Sequence, residues 1–441
     1  MSQDLCKLSA TEVANLTRSG ELKVEDYAKA LIARVQEREP IVHAWAYFSP
    51  DLILQSARAL DALPAEQRGP LHGVAVGIKD VIYTKDMPTQ QYSPIYKDDH
   101  PILDAAVVKT LRTMGALIFG KTHTTEFACC QKGPPTCNPH DPSRTAGGSS
   151  SGSGAAVGDF QVPLALGTQT GGSTIRPGSY NGIYALKPTW NAISREGLKI
   201  YSLTCDTVGL YSRSVDDLEL LCDIFRLKDD TPPPASPLNL SGAKFGFVKT
   251  HVWPKAQPEV VDSWEQAKSL LKAAGAEVEE VDLPAKFDNL SVWHRNILHM
   301  EGQSSFLSEY LAHPELLDPW VTKHAVNDTK TTRKEHLESL DEIAKLRPVI
   351  DGIASKYTAL ITPSVTGEPP VMDEPLRFTG DASFCLMWTV LHLPVVNVPG
   401  FKGPNGLPVG LSLVAPRYHE QDLLRTTHAV SEVFAEGGWT L

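Results

Sequence analysis

No stretch of the 441-residue sequence approaches the ~18 to 20 continuous apolar residues of a membrane span. Positive charge is also short. Lys plus Arg number 41 against 52 Asp plus Glu, a formal net charge of −11. That balance argues against nucleic acid or an anionic membrane as a partner, since both call for clustered cations. Met1 to Leu16 lacks a basic segment followed by an apolar one, so no signal peptide is expected. The seven cysteines (Cys6, Cys129, Cys130, Cys137, Cys205, Cys222, Cys385) are odd in number and scattered, which reads as reduced thiols in a cytoplasm. There is no C-x-x-C pair and no H-E-x-x-H, so no metal site is expected, and His123 and His140 read as loop or core residues. What remains is an ordinary globular composition, 42% hydrophobic and 21% charged.

The elements follow from local pattern. Ser9-Ala10-Thr11-Glu12 fits a capping box, with Gly20 closing that helix, and Val24 to Arg38 predicts a second helix. The first sixty residues are therefore expected to be helical. Val74, Val76 and Ile78 alternate with Ala75, Gly77 and Lys79, a strand pattern. Asp104 is placed to cap a helix carrying Val107, Val108, Leu111 and Met114, followed by Gly115 and a short buried strand at 116–119. A similar helix–Gly–strand pattern surrounds Gly275. Asp229 to Pro237 reads as a linker, and about 240–350 as an insertion or cap. Late strands are expected at 357–363, 394–399 and 410–414, then a helix from His419 to Phe434. Strands alternating with amphipathic helices point to a layered α/β fold.

Gly147 to Gly154 holds four glycines and four serines, poor helix or strand material. A flexible linker is the bland reading. Against it, Ala155-Ala156-Val157 continues directly, and a second Gly/Ser element, Gly171-Gly172-Ser173, follows an apolar run. Both read as loops where backbone approaches closely. Gly115 to Thr122 formally matches a P-loop, but Ala-Leu-Ile-Phe inside it reads as a strand and cannot cradle phosphate. Gly148-Ser149-Ser150-Ser151-Gly152 matches a nucleophile elbow, which would make Ser150 the nucleophile of an α/β-hydrolase-type esterase with a His/Asp pair. The elbow needs a strand before it, and Asn138 to Arg144 reads as loop. Lys79 admits two readings: a strand-end lysine reaching solvent, or a buried lysine kept neutral and usable as a base.

Taken together, Gly77-Ile78-Lys79-Asp80, the Gly147 to Ala156 stretch, Gly167 to Pro177 and Leu186-Lys187-Pro188-Thr189 resemble the amidase signature family of serine hydrolases. The likeness runs from about Leu71 to Ile224 and resumes more weakly at 357–363 and 406–410. It implies a single α/β domain over 1–441, a mixed twisted central sheet covered by helices on both faces, with 240–350 variable and shaping the substrate pocket.

The resemblance also implies a Ser–cisSer–Lys triad. By motif, Lys79 corresponds to the lysine, Ser149 to the bridging serine and Ser173 to the nucleophile. Backbone N–H groups of Thr170, Gly171, Gly172 and Ser173 would form the oxyanion hole, with Gln169 and Arg176 supporting it from behind. Two departures stand out: the family often has Asp where Gln169 stands, and its arginine usually follows the nucleophile by two residues, not three. The implied activity is hydrolysis of a small amide, aryl amide or carbamate (a urethanase-like option) without a cofactor. The expected partners are a small-molecule amide or carbamate substrate, with no nucleic acid and no membrane, and a homodimer is one option for assembly. Nothing in the chain marks tRNA-amidotransferase machinery or the membrane anchor of the fatty-acid amide type. A catalytically inactive scaffold is the remaining alternative. Trp293, Trp388, Tyr92 and Tyr96 are candidates for an aromatic pocket, with core or surface packing the favoured role.

Overall fold

The computed structural model describes residues 2–441 and gathers all of its named strands into one 11-stranded sheet. In chain order these are β1 (Trp45–Tyr47), β2 (Ala75–Lys79), β3 (Leu117–Thr122), β4 (Leu164–Gln169), β5 (Tyr184–Lys187), β6 (Thr207–Ser212), β7 (Lys244–Phe247), β8 (Glu277–Glu280), β9 (Ala359–Pro363), β10 (Val395–Lys402) and β11 (Pro408–Val414). Their order across the sheet is β1-β3-β2-β4-β6-β5-β10-β11-β9-β7-β8. Strand β2 runs parallel to β3 and β4, and β7 parallel to β8 and β9, while the remaining pairs are antiparallel. Every residue of β2, β3, β4, β6, β9 and β11 is buried, as strands covered on both faces must be.

Helices lie on both faces, as expected. The short helices Ser151–Gly158 and Ile175–Tyr180 pack against each other and the sheet. Val215–Phe225, Pro258–Ala273 and Glu420–Phe434 form a second group around the last of them. The Gly/Ser stretch is no linker: all eight residues of Ser151–Gly158 are buried, none larger than valine. Small size is what lets this helix sit at the centre. A Cβ on Gly152 would stand 2.1 Å from the Ala44 carbonyl oxygen and 2.4 Å from the His123 nitrogen. Side chains this small bury little apolar area, so close backbone approach, not bulk, holds the helix in place.

The capping box at Ser9 and Glu12 is present, and Gly20 ends that helix at φ 85°. Three expectations need correction. The second helix runs on from Val24 to Val42, because Pro40 falls in its last turn and His43 closes it in the left-handed region at φ 51°. Asp104 does not cap the next helix, whose N-cap is Ala105; its carboxylate instead meets Arg112 (3.2 Å) and the Lys85 backbone N–H (3.0 Å). The 240–350 region is not wholly an insertion, since β7 and β8 extend the main sheet beyond β9. Among the described residues, no helix is long and apolar enough to cross a membrane.

Candidate active site

Lys79 is the last residue of the buried strand β2, flanked by β3 and β4. The solvent-reaching reading is wrong: its side chain is fully buried. The amine lies 2.7 Å from Ser149 Oγ and 2.7 Å from Thr168 Oγ1. Burial holds Lys79 well below the ordinary lysine range. The nearby Asp206 carboxylate opposes that shift and the Arg176 charge adds to it. A neutral amine has two N–H donors and one lone pair, so it can donate to one hydroxyl and accept from the other.

The Gly148–Ser149 peptide is cis. Its carbonyl end is held from one side by Arg176, whose Nε and Nη2 donate to the Gly148 oxygen at 3.2 and 2.5 Å. The same guanidinium donates to the Gly380 carbonyl and to Thr379 Oγ1. Arg176 is thus a buried cation bound mainly by carbonyls, and it ties the 147–149 loop to the 379–380 loop.

Ser173 follows β4 in the turn that leads into Ile175–Tyr180, and 8% of its surface is exposed. Its hydroxyl makes no hydrogen bond among the described residues. Ser149 and Ser173 line one cavity of about 490 Å³. The structure therefore brings Lys79 and Ser149 into hydrogen-bond contact. It sets Ser173 at the same cavity without a hydrogen bond to Ser149.

The 170–173 segment has every carbonyl taken. Thr170 O accepts from His294 Nε2 (2.9 Å), Gly171 O from Thr389 Oγ1 (2.6 Å), Gly172 O from the Arg176 N–H (3.0 Å) and Ser173 O from Tyr211 (3.2 Å). The N–H groups of Gly171, Gly172 and Ser173 have no acceptor among the described residues. Peptide planes fixed on their carbonyl side leave donors free for a developing negative charge. Gln169 supports this turn from below: its Nε2 donates to Thr389 Oγ1 (3.0 Å) and its Oε1 accepts from the N–H groups of Thr174 (2.9 Å) and Ile175 (3.0 Å).

Ser150 does not reach the cavity. It is fully buried, and its Oγ exchanges hydrogen bonds with the carbonyl and N–H of Thr168, both at 3.2 Å. No histidine among the described residues bonds to it, so the esterase geometry is absent. Cys130, Glu126 and Asp318 bring ligand-type atoms within 4.8 Å of one another. There Glu126 accepts from Ser93 and the Asp318 N–H, while Asp318 caps the helix Pro319–Ala325. His123 is half-buried against Tyr92, and His140 packs on Trp439.

Several functional neighbours escape a sequence reading. Thr168 alternates with Gln169 along β4, so one faces the lysine and the other the turn. Asp206 is buried, accepts from Thr170 Oγ1 (2.6 Å) and from the N–H groups of Tyr201 and Ser202, and is pushed up to about 6 by burial. The aromatic lining comes from Tyr201, Trp320 and Phe378, with His299 and His324; Trp293, Trp388, Tyr92 and Tyr96 do not line this cavity, in keeping with the packing role favoured for them. Trp388 is core, Trp293 packs at the edge of a hydrophobic cluster, and Tyr96 hydrogen-bonds Glu309. Tyr92 borders a separate cavity.

Comparison with known proteins gives a consistent picture. The family model described as Amidase matches residues 26–424. A glutamyl-tRNA(Gln) amidotransferase subunit from Acidothermus cellulolyticus is 38% identical, covering 98% of this chain and 95% of that one. The protein of the same name from Symbiobacterium thermophilum is 32% identical, covering 97% and 96%. A crystal structure of an amidase superposes with a TM-score of 0.85 at 27% identity, covering 96% of this chain and 99% of that chain.

Proposed function

The chain belongs to the amidase signature family and is a hydrolase acting on carbon–nitrogen bonds; from that premise we propose that it cleaves a small amide, aryl amide or carbamate through Lys79, Ser149 and Ser173. A serine hydroxyl is a weak nucleophile and must lose its proton as it attacks. Ser173 Oγ adds to the carbonyl carbon, its proton passes to Ser149 Oγ, and the Ser149 proton passes to the lone pair of Lys79. The oxyanion is received by the N–H groups of Gly171, Gly172 and Ser173, with Thr170 carrying the same turn. Collapse expels the amine, which takes the proton back along the same path, since an amide anion is a poor leaving group. Water then clears the acyl group from Ser173 by the same relay. Gln169 and Arg176 hold the turn and the Gly148 carbonyl while this happens.

One observation carries this reading: the fully buried Lys79 amine stands 2.7 Å from Ser149 Oγ, and Ser149 lines the same cavity as Ser173. The walls favour a flat or apolar substrate part. Residues from the 240–350 region, including His294, Leu298 and Trp320, supply much of that wall, which supports its role in shaping the pocket. A panel of anilides, primary amides, aryl carbamates and esters, run with wild type and Ser173→Ala, tests the proposal. Turnover of at least one C–N substrate by wild type and its loss in Ser173→Ala are expected. Equal turnover in both overturns it.

A second reading is favoured by the relatives, which are subunits of a glutamyl-tRNA(Gln) amidotransferase. On it the same site releases the nitrogen of a primary carboxamide within a larger complex. Turnover confined to primary amides selects that reading, whereas turnover of anilides or aryl carbamates by the isolated chain selects the first.

A further inference from the structure

The cavity wall holds two adjacent thiols that the proposed chemistry does not use. Cys129 is half-buried, Cys130 is buried, and both line the cavity that contains Ser149 and Ser173. The Cys129 sulfur lies 3.9 Å from His324 Nδ1, and Tyr201 lines the same cavity. The two thiols stand on adjacent residues and open on one cavity, a spacing at which a single thiophilic atom can be reached by both. His324 is itself fixed, with Nδ1 2.9 Å from the Trp320 carbonyl and its ring stacked on His299 at 4.3 Å.

We propose that Cys129 and Cys130 form a vicinal dithiol site in the wall of the catalytic cavity, which takes thiophilic trivalent centres of the aryl arsenoxide class and thereby closes the cavity to substrate.

The chemistry balances without any change of oxidation state. Two S–H bonds break, two arsenic–sulfur bonds form, and the oxide leaves with the two thiol protons as water. Two thiols on one backbone act as a chelate: once the first sulfur is bound, the second meets the same arsenic at high effective concentration. A free monothiol lacks that advantage and a free dithiol shares it. Burial pushes the Cys129 thiol up, yet the adjoining Cys130 side chain and the His324 imidazole, with its charge, outweigh it and bring the thiol down. That favours the nucleophilic thiolate at the first step. The aryl group then lies in the cavity, among Tyr201, Trp320 and Leu298, where substrate must enter. The other five cysteines are separated in sequence. Cys205, Cys222 and Cys385 are buried, and Cys137 lies outside this cavity.

The activity arm of the test rests on the hydrolase reading; the mass arm does not, so the two fail separately. The full chain is titrated with phenylarsine oxide and read by intact mass and by hydrolysis of the best substrate. One equivalent is expected to add the reagent mass less one water, and to lower hydrolysis at least about tenfold, because a blocked cavity cannot position substrate. A small dithiol such as 2,3-dimercaptopropanol restores both readings, and an equal amount of 2-mercaptoethanol does not. Cys130→Ser and, independently, Cys129→Ser lose the stable adduct, while Cys137→Ser keeps it. An adduct that survives in both serine variants, or that 2-mercaptoethanol removes as readily, overturns the dithiol site. An adduct at Cys129 and Cys130 that leaves hydrolysis intact overturns closure of the cavity.

Discussion

Lys79 Nζ is as close to Thr168 Oγ1 as to Ser149 Oγ, 2.7 Å in each case. Thr168 therefore fixes the direction of the lysine lone pair: with one N–H spent on Thr168, the other side of the amine faces Ser149. Thr168→Val keeps the shape of the β4 side chain and removes this partner. Its kcat is expected to fall about tenfold, the worth of one buried hydrogen bond, with little change in KM. Steady-state kinetics on the best amide substrate checks it. An unchanged kcat would show that Thr168 has no part in orienting the lysine.

The pH dependence follows from the direction of the Lys79 shift. Burial holds the folded-state amine well below its ordinary range, and only the neutral form accepts a proton. kcat/KM is expected to fall as pH is lowered through that folded-state value. Lys79→Arg, charged at every working pH, should be inactive throughout. A wild-type profile flat down to about pH 5 contradicts a lysine base.

The same shift has a stability consequence with the opposite benefit. Between its lowered folded pKa and about 10.4, the unfolded Lys79 binds a proton that the folded one refuses, so wild-type stability rises with pH there. Lys79→Met has no such proton. It is expected to be inactive yet more stable than wild type at low pH. The gap should narrow by up to about 1.4 kcal/mol per pH unit on the way up. Denaturant unfolding of both proteins across the pH range measures it.

Arg176→Lys separates charge from geometry. The guanidinium serves Gly148 O, Gly380 O and Thr379 Oγ1 at once from a planar fork. An ammonium cannot span the two loops, so about 2 to 4 kcal/mol of stability and much of kcat should go together. Equal Tm and equal kcat would show that the clamp is dispensable.

Gly172→Ala tests the packing of the turn. The added methyl would stand 2.9 Å from Ala382 Cβ and 3.0 Å from Cys385 Cβ, atoms that cannot swing away. The turn must move, and kcat is expected to drop about 10- to 100-fold. Gly352→Ala, in open space on the helix Arg333–Ala354, is the control and should gain about 0.5 to 1 kcal/mol of stability.

Much of this architecture is legible in sequence because it is local. The capping box at Ser9, the alternation at Val74 to Lys79 and the glycines after Ala146 each carry their meaning within a few residues. Gly167 to Arg176 likewise marks a close-approach turn. What is not legible depends on distant partners. Asp104 looks like a cap until Arg112 and Lys85 claim it. Thr168 reads as one more motif residue until β4 is laid beside β2. Tyr201, Trp320 and Phe378 come from three separate stretches, and only the fold makes them one wall. Burial of Lys79 is a property of the strands beside β2, so its sequence alone leaves both readings open.

The most direct test of the triad is covalent. A fluorophosphonate probe reacts with an activated serine, and peptide mapping shows which one. A single label on Ser173 is expected, lost in Ser173→Ala and strongly slowed in Lys79→Met. A label on Ser150, or one on Ser173 that forms at the wild-type rate without Lys79, would contradict a lysine-driven Ser173 nucleophile.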